Sequence, residues 1–350
     1  MRPDGRRARR RILLEKIQRI CVFGAGAIGG TLAARLATAR ALAGARISVV
    51  ARGDHLKAIR ANGLLLRTRA GGEPVVARVP ASADPRDFGP QDLVISTLKG
   101  HQIAAAAPGF RPLLKPTTRV LIIQNGVPFW YFHGDVRPEL RDRRIPELDP
   151  GDALWNAIGP DRVLGGVVYQ PAEIVAPGDV LATGPGRLAI GEPDGTMSED
   201  LETVAGVIET AGWTVVRSPR IRDDIWRKLV GNAAFNPMSA LTRATVTAMA
   251  EDPLIAAVIR EVMNEVIAVA KGLGASVDVT ADERIAVTRG LGPVRSSMLQ
   301  DVIAGRALEL TPLMKAVSLL GAMIGVATPR LDVIYALTRL LDETIIGEAR

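Results

Sequence analysis

One short string limits the fold more than any other: Gly24-Ala25-Gly26-Ala27-Ile28-Gly29, set between an apolar run, Arg19 to Phe23, and an Ala- and Leu-rich segment, Thr31 to Ala39. A Gly-x-Gly-x-x-Gly pattern by itself says little. After a strand and before a helix, each glycine has a reason to be there. Gly24 permits the tight turn, Gly26 lets the backbone approach a pyrophosphate, and Gly29 lets helix and strand pack closely. The helix then offers free N–H groups and the positive end of its dipole to phosphates. Residues Gly24, Ala25, Gly26, Ala27, Ile28 and Gly29 are therefore candidate cofactor-binding positions. The alternative is a glycine turn without a ligand.

The second strand, Arg46 to Ala51, ends on Arg52 rather than on an acid. An Asp or Glu there would take the ribose hydroxyls of NAD, whereas a guanidinium suits the 2′-phosphate of NADP. Arg52 is accordingly a candidate for NADP(H) selection, against the plainer reading of a solvated surface arginine.

Further short apolar runs, Asp92 to Ser96 and Arg119 to Ile123, fit strands covered on both faces. Strand, helix, strand in this order predicts a doubly wound parallel sheet. Residues 127–160 carry five prolines and the aromatic string Phe129-Trp130-Tyr131-Phe132, and read as a long insertion with one short helix. Runs within 163–191 are expected to complete the sheet at its edge, followed by a helix from Asp200 to Ala211 and a last strand ending near Arg217. Beyond residue 220 apolar residues recur at helical spacing in segments 221–249, 253–273, 281–290, 296–325 and 329–346. The predicted organisation is a basic tail over 1–18, a Rossmann-type domain over 19–218 and an all-helical substrate domain over 219–350.

Charge and composition narrow the function. Six arginines and one acid in residues 1–11 account for +5 of the net +7, so the basic bias belongs to the tail. No aromatic-interleaved basic surface motif follows, and nucleic acid is not an expected partner. No run approaches the roughly 20 apolar residues that span a bilayer. The single cysteine, Cys21, and three scattered histidines leave neither a disulfide nor a metal-ligand spacing. A cytoplasmic enzyme without a structural metal is expected, with the Ala- and Leu-rich C-terminal helices offering a surface for a homodimer.

Five strings then accumulate in order: Leu98-Lys99-Gly100-His101-Gln102; Ile123-Gln124-Asn125-Gly126-Val127; Ile225-Trp226-Arg227-Lys228-Leu229-Val230-Gly231-Asn232, leading into Phe235-Asn236-Pro237; Ser296-Ser297-Met298-Leu299-Gln300-Asp301; and Glu309. Together, over about residues 19 to 346, the chain resembles the ketopantoate reductase (2-dehydropantoate 2-reductase) family. The resemblance implies a Rossmann domain joined to a helical domain of the 6-phosphogluconate dehydrogenase C-terminal type, with substrate in the cleft between them. It implies hydride transfer from NADPH to the ketone of 2-dehydropantoate, giving pantoate for pantothenate and coenzyme A synthesis. It also implies that Lys228 is the catalytic lysine and Glu309 the acid beside it. Asn232, Asn236 and Ser297 match substrate-binding positions, and Lys99 and Asn125 match the nicotinamide end of the cleft.

The chemistry agrees with these residue types. Ketone reduction develops charge on oxygen, and a cationic donor there serves as electrophile and general acid. Lys228, Asn232 and Asn236 stand at i, i+4 and i+8, one polar stripe of a helix. The plainer reading keeps Lys228 on the surface and lets Asn236, before Pro237, end the helix. Glu309, in an apolar helical pattern, is either solvent-facing or paired, with Lys228 as the expected partner. Ser296 and Ser297 are equally good N-cap types, and Asn125-Gly126 is a common turn pair.

The chain departs from the family at Thr311, where an acid is usual, and at Pro312 and Ala316. These positions flank the expected cleft. A reductase of a different 2-oxo acid on the same scaffold is therefore the alternative reading, with a non-catalytic NADP-binding regulator behind it.

Overall fold

The computed structural model describes residues 14–69 and 71–348. Its strands are β1 (Arg19–Phe23), β2 (Arg46–Val50), β3 (Leu64–Thr68), β4 (Val75–Ala77), β5 (Ala81–Ser82), β6 (Leu93–Ser96), β7 (Arg119–Ile123), β8 (Val163–Tyr169), β9 (Ala172–Ala176), β10 (Asp179–Ala182), β11 (Arg187–Gly191) and β12 (Thr214–Arg217). Helices of six residues or more are α1 (Ala27–Thr38), α2 (Gly53–Asn62), α3 (Ala153–Ile158), α4 (Glu199–Thr210), α5 (Ile221–Thr242), α6 (Val246–Glu251), α7 (Pro253–Gly272), α8 (Ala281–Arg289), α9 (Ser297–Ile303), α10 (Ala316–Met323) and α11 (Pro329–Glu348).

Eight strands form one sheet in the order β12-β11-β8-β7-β6-β1-β2-β5. From β5 to β8 every pairing is parallel; β11 runs antiparallel to β8, and β12 parallel to β11. The chain enters at β1, moves outward to β2, then returns to β6 on the other side of β1. That reversal is the switch point at which open α/β sheets hold ligands, outside the strand C-termini. Residues Ile20, Cys21, Val22, Leu93, Val94, Ile95, Val120 and Leu121 are wholly buried, as a sheet covered on both faces requires.

The run 163–191 does not all lie at the edge of this sheet. β8 and β11 do join it, but β9 and β10 build a second sheet with β3 and β4, in the order β4-β3-β10-β9. This small sheet packs across α1, the helix that follows the glycine loop. The parallel β3–β10 pairing links residues more than a hundred positions apart, such as Leu65 and Asp179.

Helix boundaries follow local chemistry. Asp252 accepts from the amides of Leu254 and Ile255, with Pro253 opening α7. Thr280 and Glu283 form a reciprocal capping box at α8. The plainer reading, in which Asn236 before Pro237 ends the helix, does not hold: within the helical segment expected over 221–249, α5 continues through Pro237 to Thr242. Ala233, Ala234, Pro237, Met238 and Ala240 are all buried there, and burial holds the helix through a residue that cannot donate its amide. The long segment 296–325 is broken instead: α9 ends at Ile303, and a π-turn, Thr311–Lys315, precedes α10. Among the described residues no strand follows residue 220.

Residues 1–13 of the arginine-rich tail lie outside the described residues. The last part of the expected tail packs onto the sheet: Ile17 is buried, and the Gln18 amide donates to Asp92 at 2.8 Å. In the insertion the aromatic string joins two cores. Phe129 and Trp130 belong to the cluster under the sheet, Tyr131 and Phe132 to the helical cluster. Trp226 of α5 donates to the Tyr131 hydroxyl at 2.7 Å, within that junction. Among the described residues no helix is long and apolar enough to cross a membrane.

Candidate active site

At the end of β1, Gly24 adopts φ +101°, a left-handed conformation that favours glycine. A side chain on Gly29 would land on the Gly24 carbonyl and the Thr97 hydroxyl, so only glycine lets α1 pack here. Thr97 Oγ1 donates to the Gly24 carbonyl at 2.5 Å, fastening the loop after β1 to the loop after β6 across the switch point. Gly26 differs: nothing stands within 4 Å of where its Cβ would be. It caps α1 without any side-chain hydrogen bond, so the helix amides face open space. A cradle closed behind Gly29 and open before Gly26 fits a pyrophosphate. Arg52 is exposed at the tip of β2, where α2 begins. His55 of α2 hydrogen-bonds the Ala25 carbonyl at 2.6 Å and accepts from the Gly178 amide, which ties the glycine loop to the small sheet.

Lys228 lies on α5 where that helix crosses the C-terminal edge of the large sheet. Its ammonium donates to Asn125 Oδ1 at 2.7 Å, just past β7, and to the Val168 carbonyl at 2.5 Å, in β8. The Tyr169 ring centroid is 5.4 Å from the ammonium. Burial drives the lysine pKa down from 10.5 to about 8, Glu309 opposes that shift, and Arg284 adds to it.

Glu309 is 6% exposed and accepts from the Gly100 amide at 2.9 Å. Burial raises its pKa, against the Gly100 amide, Lys99 and the Asn125 side chain. It forms no direct ion pair with Lys228. Asn125 stands between them, accepting from the ammonium on one side and hydrogen-bonded to the carboxylate on the other. The expected lysine–glutamate contact is thus relayed through an amide, which spares two charges a buried contact without water.

Lys99, expected near the nicotinamide, pairs with Asp301 at 2.6 Å, and Arg306 holds the other oxygen of that carboxylate at 3.0 Å. Ser296, not Ser297, caps α9 by accepting from the Leu299 amide. Ser297 is exposed and shares a face with Asp301 at i, i+4, the side turned towards Lys99. Asn232 and Asn236 follow Lys228 along α5, and their side chains have no hydrogen-bond partner among the described residues. Asn236 is only 7% exposed.

The structure therefore gathers Lys99, Asn125, Lys228 and Glu309 into one contact network at the strand C-termini, with the asparagine stripe leading away from it. Sequence reading gave no firm role to Asp301 and overlooked Tyr169 and the Val168 carbonyl. A charged residue at i+4 from Ser297 was a signal for the first. A backbone carbonyl leaves none.

Thr311, Pro312 and Ala316 are placed differently from one another. Ala316 is wholly buried in the helical core. Pro312 docks on the sheet domain: a Cβ on Gly100 would come within 2.5 Å of its ring, and its carbonyl accepts from the Val127 amide at 2.9 Å.

Comparison with known proteins agrees with this architecture. The family model described as ketopantoate reductase PanE/ApbA matches residues 20–195, and that of the ketopantoate reductase PanE/ApbA C terminal matches residues 220–342. A 2-dehydropantoate 2-reductase of Mesorhizobium japonicum is 43% identical over 323 residues, covering 92% of this chain and 97% of that protein. The crystal structure of 2-dehydropantoate 2-reductase from Geobacter metallireducens aligns at 28% identity with a TM-score of 0.79, covering 92% of this chain and 99% of the other. A D-mandelate dehydrogenase solved with NADH and anilino(oxo)acetate shares the fold at 21% identity and a TM-score of 0.79 over 94% and 99% of the two chains.

Proposed function

The chain belongs to the ketopantoate reductase family, and on that premise we propose that it reduces 2-dehydropantoate to pantoate with NADPH, Lys228 giving the proton. The observation that carries this reading is the Lys228 ammonium, held by Asn125 past the end of β7 and by the Val168 carbonyl near the end of β8, on the C-terminal side of the sheet where the switch point also opens. When bound, the reduced nicotinamide supplies a hydride to the carbonyl carbon. The chain supplies the rest.

Gly24, Ala25, Gly26, Ala27, Ile28 and Gly29 hold the pyrophosphate on the open end of α1, and Arg52 meets the 2′-phosphate. Lys228 points a donor at the substrate carbonyl oxygen and delivers its proton as negative charge grows there. Asn125 fixes the ammonium and transmits the field of Glu309, which stays out of direct contact. Asn232, Asn236 and Ser297 hold the hydroxyl and carboxylate ends of the substrate. Lys99, paired with Asp301, closes the nicotinamide end by joining the sheet domain to α9. In this division residues 19–218 bind cofactor and 219–350 bind substrate.

Steady-state assays of reduced-nicotinamide consumption test the reading. Rapid turnover of 2-dehydropantoate with NADPH is expected. Turnover of another 2-oxo acid in its place would move attention to the Thr311–Pro312 turn beside the cleft, and cofactor binding without turnover of any 2-oxo acid would leave a regulator.

Arg52 gives the cofactor prediction. A charge-assisted hydrogen bond to phosphate is worth about 1.5–3 kcal/mol, so Arg52→Ala should raise KM for NADPH roughly 10- to 100-fold and leave that for NADH within about twofold. Equal losses with both cofactors would remove Arg52 from the phosphate site.

The lysine gives the pH prediction. With its pKa lowered to about 8, Lys228 is mainly protonated at neutral pH and loses its proton as pH rises. Reduction, which needs the acid form, should lose kcat/KM above about pH 8. Pantoate oxidation, which needs the base form, should gain through the same limb. A flat reductive profile up to pH 10 in the parent would assign the proton elsewhere.

A further inference from the structure

Arg284, on α8, has no assigned role in the site described above. Its guanidinium lies flat on α5 at Gly231: a Cβ on that glycine would meet Arg284 Nε at 2.8 Å and Nη2 at 3.0 Å. Gly231 is three residues after Lys228, so the notch is the lysine's neighbour on the surface of α5. Arg284 Nε is buried and has no hydrogen-bond partner. Among the described residues no carboxylate pairs with this arginine: Asp282 is taken by Arg260, and Glu283 caps its own helix. The neighbouring groups that sense its charge are Lys228 and Tyr169, both in the cleft.

Arg284 as a whole is half-buried, but a buried guanidinium N–H without an acceptor is costly, and a ligand carboxylate removes that cost. The notch and the lysine are separated by three helical residues, a rise of about 4.5 Å along α5. A 2-oxo acid has its ketone oxygen and carboxylate on adjacent carbons, and a guanidinium seated one turn along α5 from the lysine, close enough to act on its charge, can take the carboxylate while the lysine takes the ketone oxygen.

We infer that Arg284 is a substrate-anchoring residue, its guanidinium receiving the carboxylate of the 2-oxo acid whose carbonyl faces Lys228. This rests on the reductase reading but assigns a group beyond Ser297 and the asparagines. The Gly231 notch sets the height of the guanidinium, and the carboxylate fixes which carbonyl the lysine meets.

Two variants test the anchor. Arg284→Met removes the charge. Gly231→Ala keeps the charge and pushes the guanidinium off its seat, an adjustment that a flexible side chain makes without unfolding α5. The substrates are 2-dehydropantoate and its lactone, which has the same ketone and no carboxylate. With the acid, KM should rise about 10- to 100-fold in both variants, while kcat moves less than about threefold. With the lactone, parent and variants should agree within about twofold. Equal losses on acid and lactone, or an unchanged KM for the acid, would overturn the assignment. Calorimetric binding of oxamate, an unreactive 2-oxo acid analogue, to the cofactor-loaded protein separates this from the reductase reading. Oxamate affinity should fall at least about tenfold in both variants even if the parent reduces nothing, and oxamate binding that ignores Arg284 overturns the anchor alone.

Discussion

Lys228→Met should lower kcat for 2-dehydropantoate reduction by about a thousandfold, within the range of roughly 10²–10⁴ that a positioned general acid contributes. A thousandfold is about 4 kcal/mol of transition-state stabilisation. NADPH affinity should stay within about twofold, because the glycine loop and Arg52 lie on other elements. The alkaline limb near pH 8 should vanish with the lysine. Stability supplies a second readout with a definite sign. Burial makes the folded chain release the Lys228 proton near pH 8, whereas the unfolded chain keeps it to about 10.5. Between those values the unfolded state binds more protons, so the parent gains stability relative to Lys228→Met as pH rises, by up to about 3 kcal/mol. Below pH 8 the charged lysine is a standing cost of folding, accepted for the sake of chemistry. A variant that keeps a tenth of the parent kcat, or a stability difference that ignores pH, would sink the assignment.

What could be read in the sequence was local, and what could not was held by distant contacts. The β1–loop–α1 unit was legible because turn, strand and helix signals lie within some twenty adjacent residues, and the structure gives Gly24 and Gly29 the steric roles expected of them. The polar stripe from Lys228 to Asn236 was legible because helical period places i, i+4 and i+8 on one face. The apolar spacing over 221–249 also carried the helix past Pro237, where packing of α5 in the helical core overrides what proline does to an isolated helix. The small sheet escaped notice because its strands are short and partly exposed and pair across more than a hundred residues. The acceptors of Lys228 were hidden for the same reason. Asn125 was singled out, but its contact with Lys228 spans 103 positions, and Val168 enters through its carbonyl, which no side-chain pattern reports. The departure at Pro312 was visible, whereas its seat on Gly100 and Gly126 was not.

That seat leads to the second large effect. Gly126 has φ +79°, and a Cβ there would meet the Pro312 carbonyl carbon at 2.5 Å and the Leu313 nitrogen at 3.0 Å. Both are backbone atoms in the π-turn, so no rotamer change relieves the clash. Gly126→Ala should therefore unseat the turn, break the Val127–Pro312 hydrogen bond and shift the adjacent Asn125, which holds Lys228. A displacement of about 1 Å in a reacting group costs on the order of a hundredfold, and kcat should fall by about that factor while NADPH binding persists. The stability loss separates clash from backbone strain. Gly325 also has positive φ, +72°, but nothing lies within 4 Å of its Cβ position. Gly325→Ala should cost about 1 kcal/mol from φ alone and leave kcat unchanged, against about 3 kcal/mol or more for Gly126→Ala. Similar losses in the two variants, with kcat preserved, would mean that Pro312 merely touches the sheet domain. The predicted contrast would mean that the Thr311–Pro312 turn sets the position of Asn125, and through it the lysine, from the opposite side of the cleft.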